Sequence, residues 1–152
     1  MASLKAKELN GNLWGDINFD GFYHDSLHEE LAAFKKVMLQ GITLTLHSYN
    51  GPRPIKLYLN GSELRLEYLD SNFFAKKDLK IPTKLIKFIV MGKETNNLRD
   101  ASSAARNSKE DLFFSFVNKD GTTDFEAHSK DERDAICRGL IHSLLEMSAV
   151  AF

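Results

Sequence analysis

Apolar positions over residues 27–38 fall at helical spacing: Leu27, Leu31, Phe34 and Met38 stand at i, i+4, i+7 and i+11, which collects them on one face. Ser26 and Glu29 form a capping box ahead of this stripe, and Gly41 ends it. A helix is therefore expected over 26–39. The period then changes to two. Ile42, Leu44 and Leu46 alternate with Thr43, Thr45 and His47, the signature of a strand with one buried face. After a turn over Asn50-Gly51-Pro52-Arg53-Pro54, Ile55, Leu57 and Leu59 alternate again, and Asn60-Gly61 marks a hairpin into Leu64, Leu66 and Tyr68, because both turn positions favour residues that tolerate positive φ. Residues 41–69 thus read as a three-stranded antiparallel meander.

Four further strands are expected, over 79–82, 85–91 (Ile86, Phe88, Val90), 112–118 (Leu112, Phe114, Phe116) and 122–127 (Thr123, Phe125), the last two joined at Lys119-Asp120-Gly121. A short helix is expected near 98–105 in the polar segment between Gly92 and Glu110. A second long helix follows Ser129, capped with Glu132, and carries Ile136, Leu140 and Leu144 on one stripe. The sum is a mainly β fold with α: a seven-stranded antiparallel barrel or sandwich closed by a C-terminal helix, with an extra N-terminal helix. Burying the three stripe residues in the barrel's open end contributes about 5–8 kcal/mol before entropy. Residues 1–24, with Trp14 and Phe19 among polar and glycine positions, read as an irregular lead-in to a domain over 25–148.

Composition narrows the function. With 20 basic and 21 acidic residues, the chain lacks the positive surplus of a general nucleic-acid binder, and no nucleic-acid partner is expected. Cys137 is the only cysteine, so no intrachain disulfide can form. No apolar run approaches the length of a membrane-spanning helix.

The stretch from Met91-Gly92-Lys93-Glu94-Thr95-Asn96-Asn97-Leu98, through a polar loop, to DLFFSFVNKDGTTDFEAHSKDERDAICRGL at 111–140 resembles the second half of the pleckstrin-homology (PH) domains of phosphoinositide-specific phospholipase C. Met38-Leu39-Gln40-Gly41 is similar to the entry into the first strand of that fold. The resemblance covers about 38–147 and implies a non-catalytic binding module. Two departures stand out. Ile136 takes the place where PH domains usually carry a tryptophan. Strand 1 carries Thr43, Thr45, His47 and Ser48 where lipid-binding members carry basic residues, and neutral hydroxyls cannot supply the charge-assisted bonds that polyphosphate capture needs. Together with length and the leading helix, these departures resemble the inner-membrane-complex sub-compartment proteins of apicomplexan parasites. That resemblance implies a protein-interaction scaffold with a degenerate phosphoinositide pocket, on the cytoplasmic face of a membrane such as the inner membrane complex. It also implies an N-terminal acyl anchor. Met1-Ala2-Ser3 lacks the glycine at position 2 that myristoylation needs, so the anchor is expected on a stretch this sequence does not carry. Weak attachment through a basic loop is the other route.

Candidate sites follow. Arg53, Lys56, Lys76, Lys77 and Lys119 form a candidate anion or lipid rim, the alternative function being capture of acidic headgroups there. Phe73 and Phe74, beside Lys76 and Lys77, either meet a partner or pack on the barrel rim. The strand from Leu112 to Val117 is apolar on both faces. Its outer face, with Phe113 and Val117, is expected either under the 26–39 helix or against a partner protein. Asp16-Ile17-Asn18-Phe19-Asp20-Gly21 matches half an EF-hand loop, but Leu27 stands where its bidentate glutamate belongs, and the segment reads as a turn. Histidines 24, 28, 47, 128 and 142 show no metal-ligand spacing. No nucleophile elbow, phosphate loop or paired-carboxylate motif is present, so neither catalysis nor a cofactor is expected.

Overall fold

The computed structural model describes residues 24–48, 51–70, 78–99 and 108–150; the N-terminal lead-in through Tyr23, with Trp14 and the half EF-hand loop, lies outside them. In chain order the elements are α1 (His24–Gln40), β1 (Ile42–Ser48), β2 (Gly51–Asn60), β3 (Glu63–Tyr68), β4 (Leu79–Pro82), β5 (Ile86–Met91), α2 (Asn96–Arg99), β6 (Phe113–Asn118), β7 (Gly121–Glu126) and α3 (Lys130–Val150). Single 3₁₀ turns over Thr83–Leu85 and Glu110–Leu112 precede β5 and β6. The seven strands form one antiparallel sheet in the order β4-β3-β2-β1-β7-β6-β5. β1 and β7 are joined by only two residue pairs, Thr45↔Glu126 and Leu46↔Phe125, while β1 and β2 pair along seven.

One apolar core fills the space this bent sheet encloses. Ile42, Leu44 and Leu46 of β1, Ile55, Leu57 and Leu59 of β2, Leu64 and Leu66 of β3, and Phe114, Phe116 and Phe125 of the second half are buried together. The three phenylalanines meet at ring separations of 5.0–6.0 Å. As expected, α3 closes the core: Ile136 and Leu140 are fully buried in it, and Leu144 is half-buried. α1 joins them through Phe34, Val37 and Met38, packing on β2 and α3. Gly41 ends α1 with φ of 88°, its N–H donating to Val37 O at 3.0 Å. A Cβ there would stand 2.6 Å from the Tyr58 ring, so glycine is required both for the left-handed backbone and for the close approach.

Several local expectations need correction. The turn expected over residues 50–54 is mostly strand. β2 begins at Gly51 and carries Pro52 and Pro54 paired to His47 and Thr45. Its register with β3 starts only at Ile55↔Tyr68, so the prolines occupy a stretch laddered on one side, where a missing N–H is tolerated. The first hairpin turns one residue later than expected, at Gly61-Ser62, with Asn60↔Glu63 as the last pair. α2 spans only Asn96–Arg99, the rest of the expected 98–105 helix lying outside the described residues. The Ser129 cap holds, Oγ accepting from Glu132 N at 3.0 Å. Glu132 itself reaches one residue further back, to His128 N at 2.9 Å, so the reciprocal bond skips the cap residue.

The cover over β6 differs most. α1 does not lie on its outer face. Leu112 sits in the 3₁₀ turn and, with Phe113 and Leu98 of α2, makes a second small cluster. The α2 turn is pinned there by Asp124, a 2% exposed carboxylate. It accepts from Thr95 Oγ1 at 2.7 Å, Ser115 Oγ at 2.6 Å and Asn97 Nδ2 at 2.9 Å. Asn97 also donates to His47 O. A polar face on β6 and β7 thus recruits a polar turn, and a buried carboxylate with these three donors and a longer one from Thr122 Oγ1 at 3.5 Å meets the requirement that buried charge be fully bonded.

Candidate functional site

The pairing register sets which groups gather at the end of the barrel away from α3. β1 ends at Ser48 opposite Gly51, β7 starts at Gly121, four residues before its pairing with β1, and the β3–β4 connection leaves from Tyr68. The described ends of three connections therefore stand at one mouth. Alternation from the buried Ile55 puts Arg53 on the inner face, directly above the core.

Arg53 does not stand free. Its Nε donates to Asp70 Oδ2 at 2.9 Å and its Nη2 to Oδ1 at 2.7 Å, a two-pronged clasp of the carboxylate. The guanidinium lies 4.0 Å above the Tyr68 ring, and Tyr68 packs on the core. The hydrogen bond from Arg53 holds the Asp70 carboxyl below its ordinary range, and Asp70 in turn raises the Arg53 guanidinium. Asp78, at the far end of the same connection, accepts a single bond from Arg65 Nη1 at 2.9 Å, with that guanidinium 4.1 Å over Tyr58. Ser48 Oγ donates to Gly51 O at 3.0 Å, which fastens the first turn.

The other expected rim residues separate. Lys56 is not on the mouth: its parity is opposite to that of Ile55 and Leu57, so it lies on the outer face, its ammonium 5.8 Å from the Tyr58 ring. Lys119 is exposed on the β6–β7 turn, beside Asp120. Lys76 and Lys77, with Phe73 and Phe74, lie outside the described residues. Of the expected interface residues, Phe113 is buried completely, covered by α2, with His47 at 5.2 Å and the Lys93 ammonium over its ring. Val117 remains half-exposed, and its cross-strand neighbour is Phe88, a 63% exposed aromatic. A register shift between Ile86 and Phe88 turns Phe88 outward while Ile86 and Ile89 pack on the core, as a bulge does. Strict alternation could not foresee that reversal.

Asp70 was also missed. The observed register that sets Ile55 opposite Tyr68 sets Arg53 opposite Asp70 two residues further along, whereas the expected turn at Asn60-Gly61 would have set Arg53 opposite Tyr68. Among the described residues no group of three or more His, Cys, Asp or Glu side chains is placed to hold a metal, and no helix is long and apolar enough to cross a membrane. Burial pushes the Cys137 thiol up to about 12.

No family profile matches this chain, and no curated protein matches it. Solved structures do. Inner membrane complex sub-compartment protein 1 of Toxoplasma gondii superposes with a TM-score of 0.59 at 13% identity, covering 77% of this chain and 92% of that one. Sub-compartment protein 3 of the same organism gives 0.54 at 12% identity, covering 95% and 98%. The PH domain from TgAPH gives 0.54 at 13% identity, covering 82% and 96%. At such identities the likeness speaks for architecture. The seven-stranded antiparallel sheet, the closing α3 and the chain order between them are those of a pleckstrin-homology domain.

Proposed function

We propose that this chain is a non-catalytic PH-fold module that scaffolds protein contacts at a membrane or membrane skeleton, its phosphoinositide pocket disabled. The observation that carries this reading is the Arg53–Asp70 clasp. The guanidinium described on the inner face of the mouth is already satisfied by a carboxylate of the same chain, so a polyphosphate headgroup meets a neutral pair and not a cation. The exposed Phe88 beside Val117 supports a protein-binding surface on the outer face of β5 and β6, since aromatic side chains are enriched in such surfaces. The similarity in fold to proteins named for the inner membrane complex supports peripheral placement at the cytoplasmic face of a membrane of that kind, with an acyl anchor supplied N-terminally.

Sedimentation with phosphatidylcholine vesicles, with and without phosphatidylinositol 4,5-bisphosphate, tests it. The protein should stay in the supernatant with both. Saturable sedimentation that requires the phosphoinositide, and is lost on charge removal at Lys76 and Lys77, would replace this reading with that of an acidic-lipid-binding rim.

A further inference from the structure

Resting on the reading that the mouth is disabled, we propose that Asp70 is an internal occupant of an anion seat: its carboxylate fills the place at Arg53 that a phosphate oxyanion would take. The seat and its occupant are built differently. Arg53 belongs to the laddered strand β2, and its guanidinium carbon lies 4.0 Å over the ring of Tyr68, which itself packs on the core. A guanidinium is a rigid planar fork of N–H groups, and the fork here meets two oxygens at 2.7 and 2.9 Å. Phosphate offers the same two-oxygen edge.

Asp70 belongs to the connection. The last backbone bond that ties this strand end down is Leu69 N to Pro54 O at 3.0 Å, and Asp70 lies one residue beyond it, its side chain 34% exposed. The occupant therefore hangs past the end of the ladder, while the seat is part of it. Because the carboxylate is tethered, it acts at a high effective concentration, in the millimolar range typical of short connections, and an outside oxyanion must compete with it. At neutral pH Asp70 does not release the seat by taking a proton, because Arg53 keeps its carboxyl ionised to lower pH than usual. Asp70 is thus the residue that decides which ligands the mouth refuses.

The experiment compares wild type, Asp70→Asn, Asp70→Ser and the double variant Arg53→Gln/Asp70→Asn, all checked for unchanged circular dichroism. Inorganic phosphate is titrated while the backbone amide resonance of position 53, present in every variant, is followed by NMR, and the sedimentation with phosphoinositide vesicles is repeated. Both single variants should bind phosphate about tenfold more tightly than wild type, the gain of roughly one added charge-assisted bond, and the double variant should return to the wild-type level. A gain with phosphate alone marks a soluble phosphate as the ligand that fits; a gain with vesicles marks a lipid headgroup. Single variants that bind no better than wild type, or a gain that survives loss of Arg53, overturn the assignment. Phosphoinositide binding by wild type overturns instead the disabled-mouth reading, and is told apart because it needs no substitution.

Discussion

Asp124 shows how much can depend on one polar side chain in a β protein. It lies on the outer face of β7, where a solvated threonine or lysine would be ordinary, yet it is buried and bonded to Thr95, Asn97 and Ser115. Replacing it with alanine strands three donors under the α2 turn, and orphaned buried groups cost about 1–3 kcal/mol each when they find no water. Partial rehydration of a surface turn limits the total. Asp124→Ala should lower stability by about 3 kcal/mol, read as a reduced urea midpoint. Amides of residues 95–99 should lose hydrogen-exchange protection before those of β1 and β2. Loss of protection spread evenly over all strands would argue that Asp124 supports the whole barrel and not this turn.

The contact between α1 and α3 is an affair of elements. α3 offers Gly139 where it meets α1: a Cβ there would stand 2.4 Å from the Phe34 ring, and Phe34 is 1% exposed. The two helices also share ion pairs, Arg138 with Glu30 at 3.4 Å and Lys35 with Glu146 at 2.6 Å, and burial raises the Glu30 carboxyl despite its partner. Gly139→Ala gains helix propensity of up to about 1 kcal/mol but forces the ring out, and overpacking costs about 1–3 kcal/mol. The variant should be destabilised by about 2 kcal/mol, and adding Phe34→Leu should restore part of the loss in a double-mutant cycle of urea unfolding. Additive losses would show that the two residues do not meet.

At the scale of the whole molecule, Cys137 reports on the closure of the barrel. Its side chain lies in the core that α3 seals, and burial raises the thiol to about 12 against about 9 for an ordinary one. Native protein at pH 8 should therefore react with a thiol reagent only through unfolding, at least about 100-fold more slowly than protein in urea, because the thiolate is the nucleophile. The same shift fixes a sign. The native state keeps its proton between about 9 and 12 while the unfolded chain loses it. This contribution is intact below pH 9 and is lost as pH rises toward 12. Cys137→Ser should flatten that alkaline decline, as thermal midpoints measured from pH 8 upward would show. Rapid labelling of native protein would mean that α3 leaves the barrel without global unfolding.

Among the described residues, periodicity determined the type and order of the strands and the two long helices, because a half-buried strand and an amphipathic helix each leave a local record: Ile42, Leu44 and Leu46 for one, Ile136 and Leu140 for the other. Local turn chemistry determined the two hairpins to within a residue. Three-dimensional packing decided what had no local record. The bulge at β5 put Phe88 outside, α2 took the cover of Phe113 that α1 was expected to provide, and Lys56 fell on the outer face. The Arg53–Asp70 clasp joins positions seventeen residues apart, and neither residue differs in sequence from an ordinary exposed charge. Charge at the mouth is a sum over side chains brought together by register, so whether Arg53 stands free or neutralised is settled only once β2 and β3 are paired.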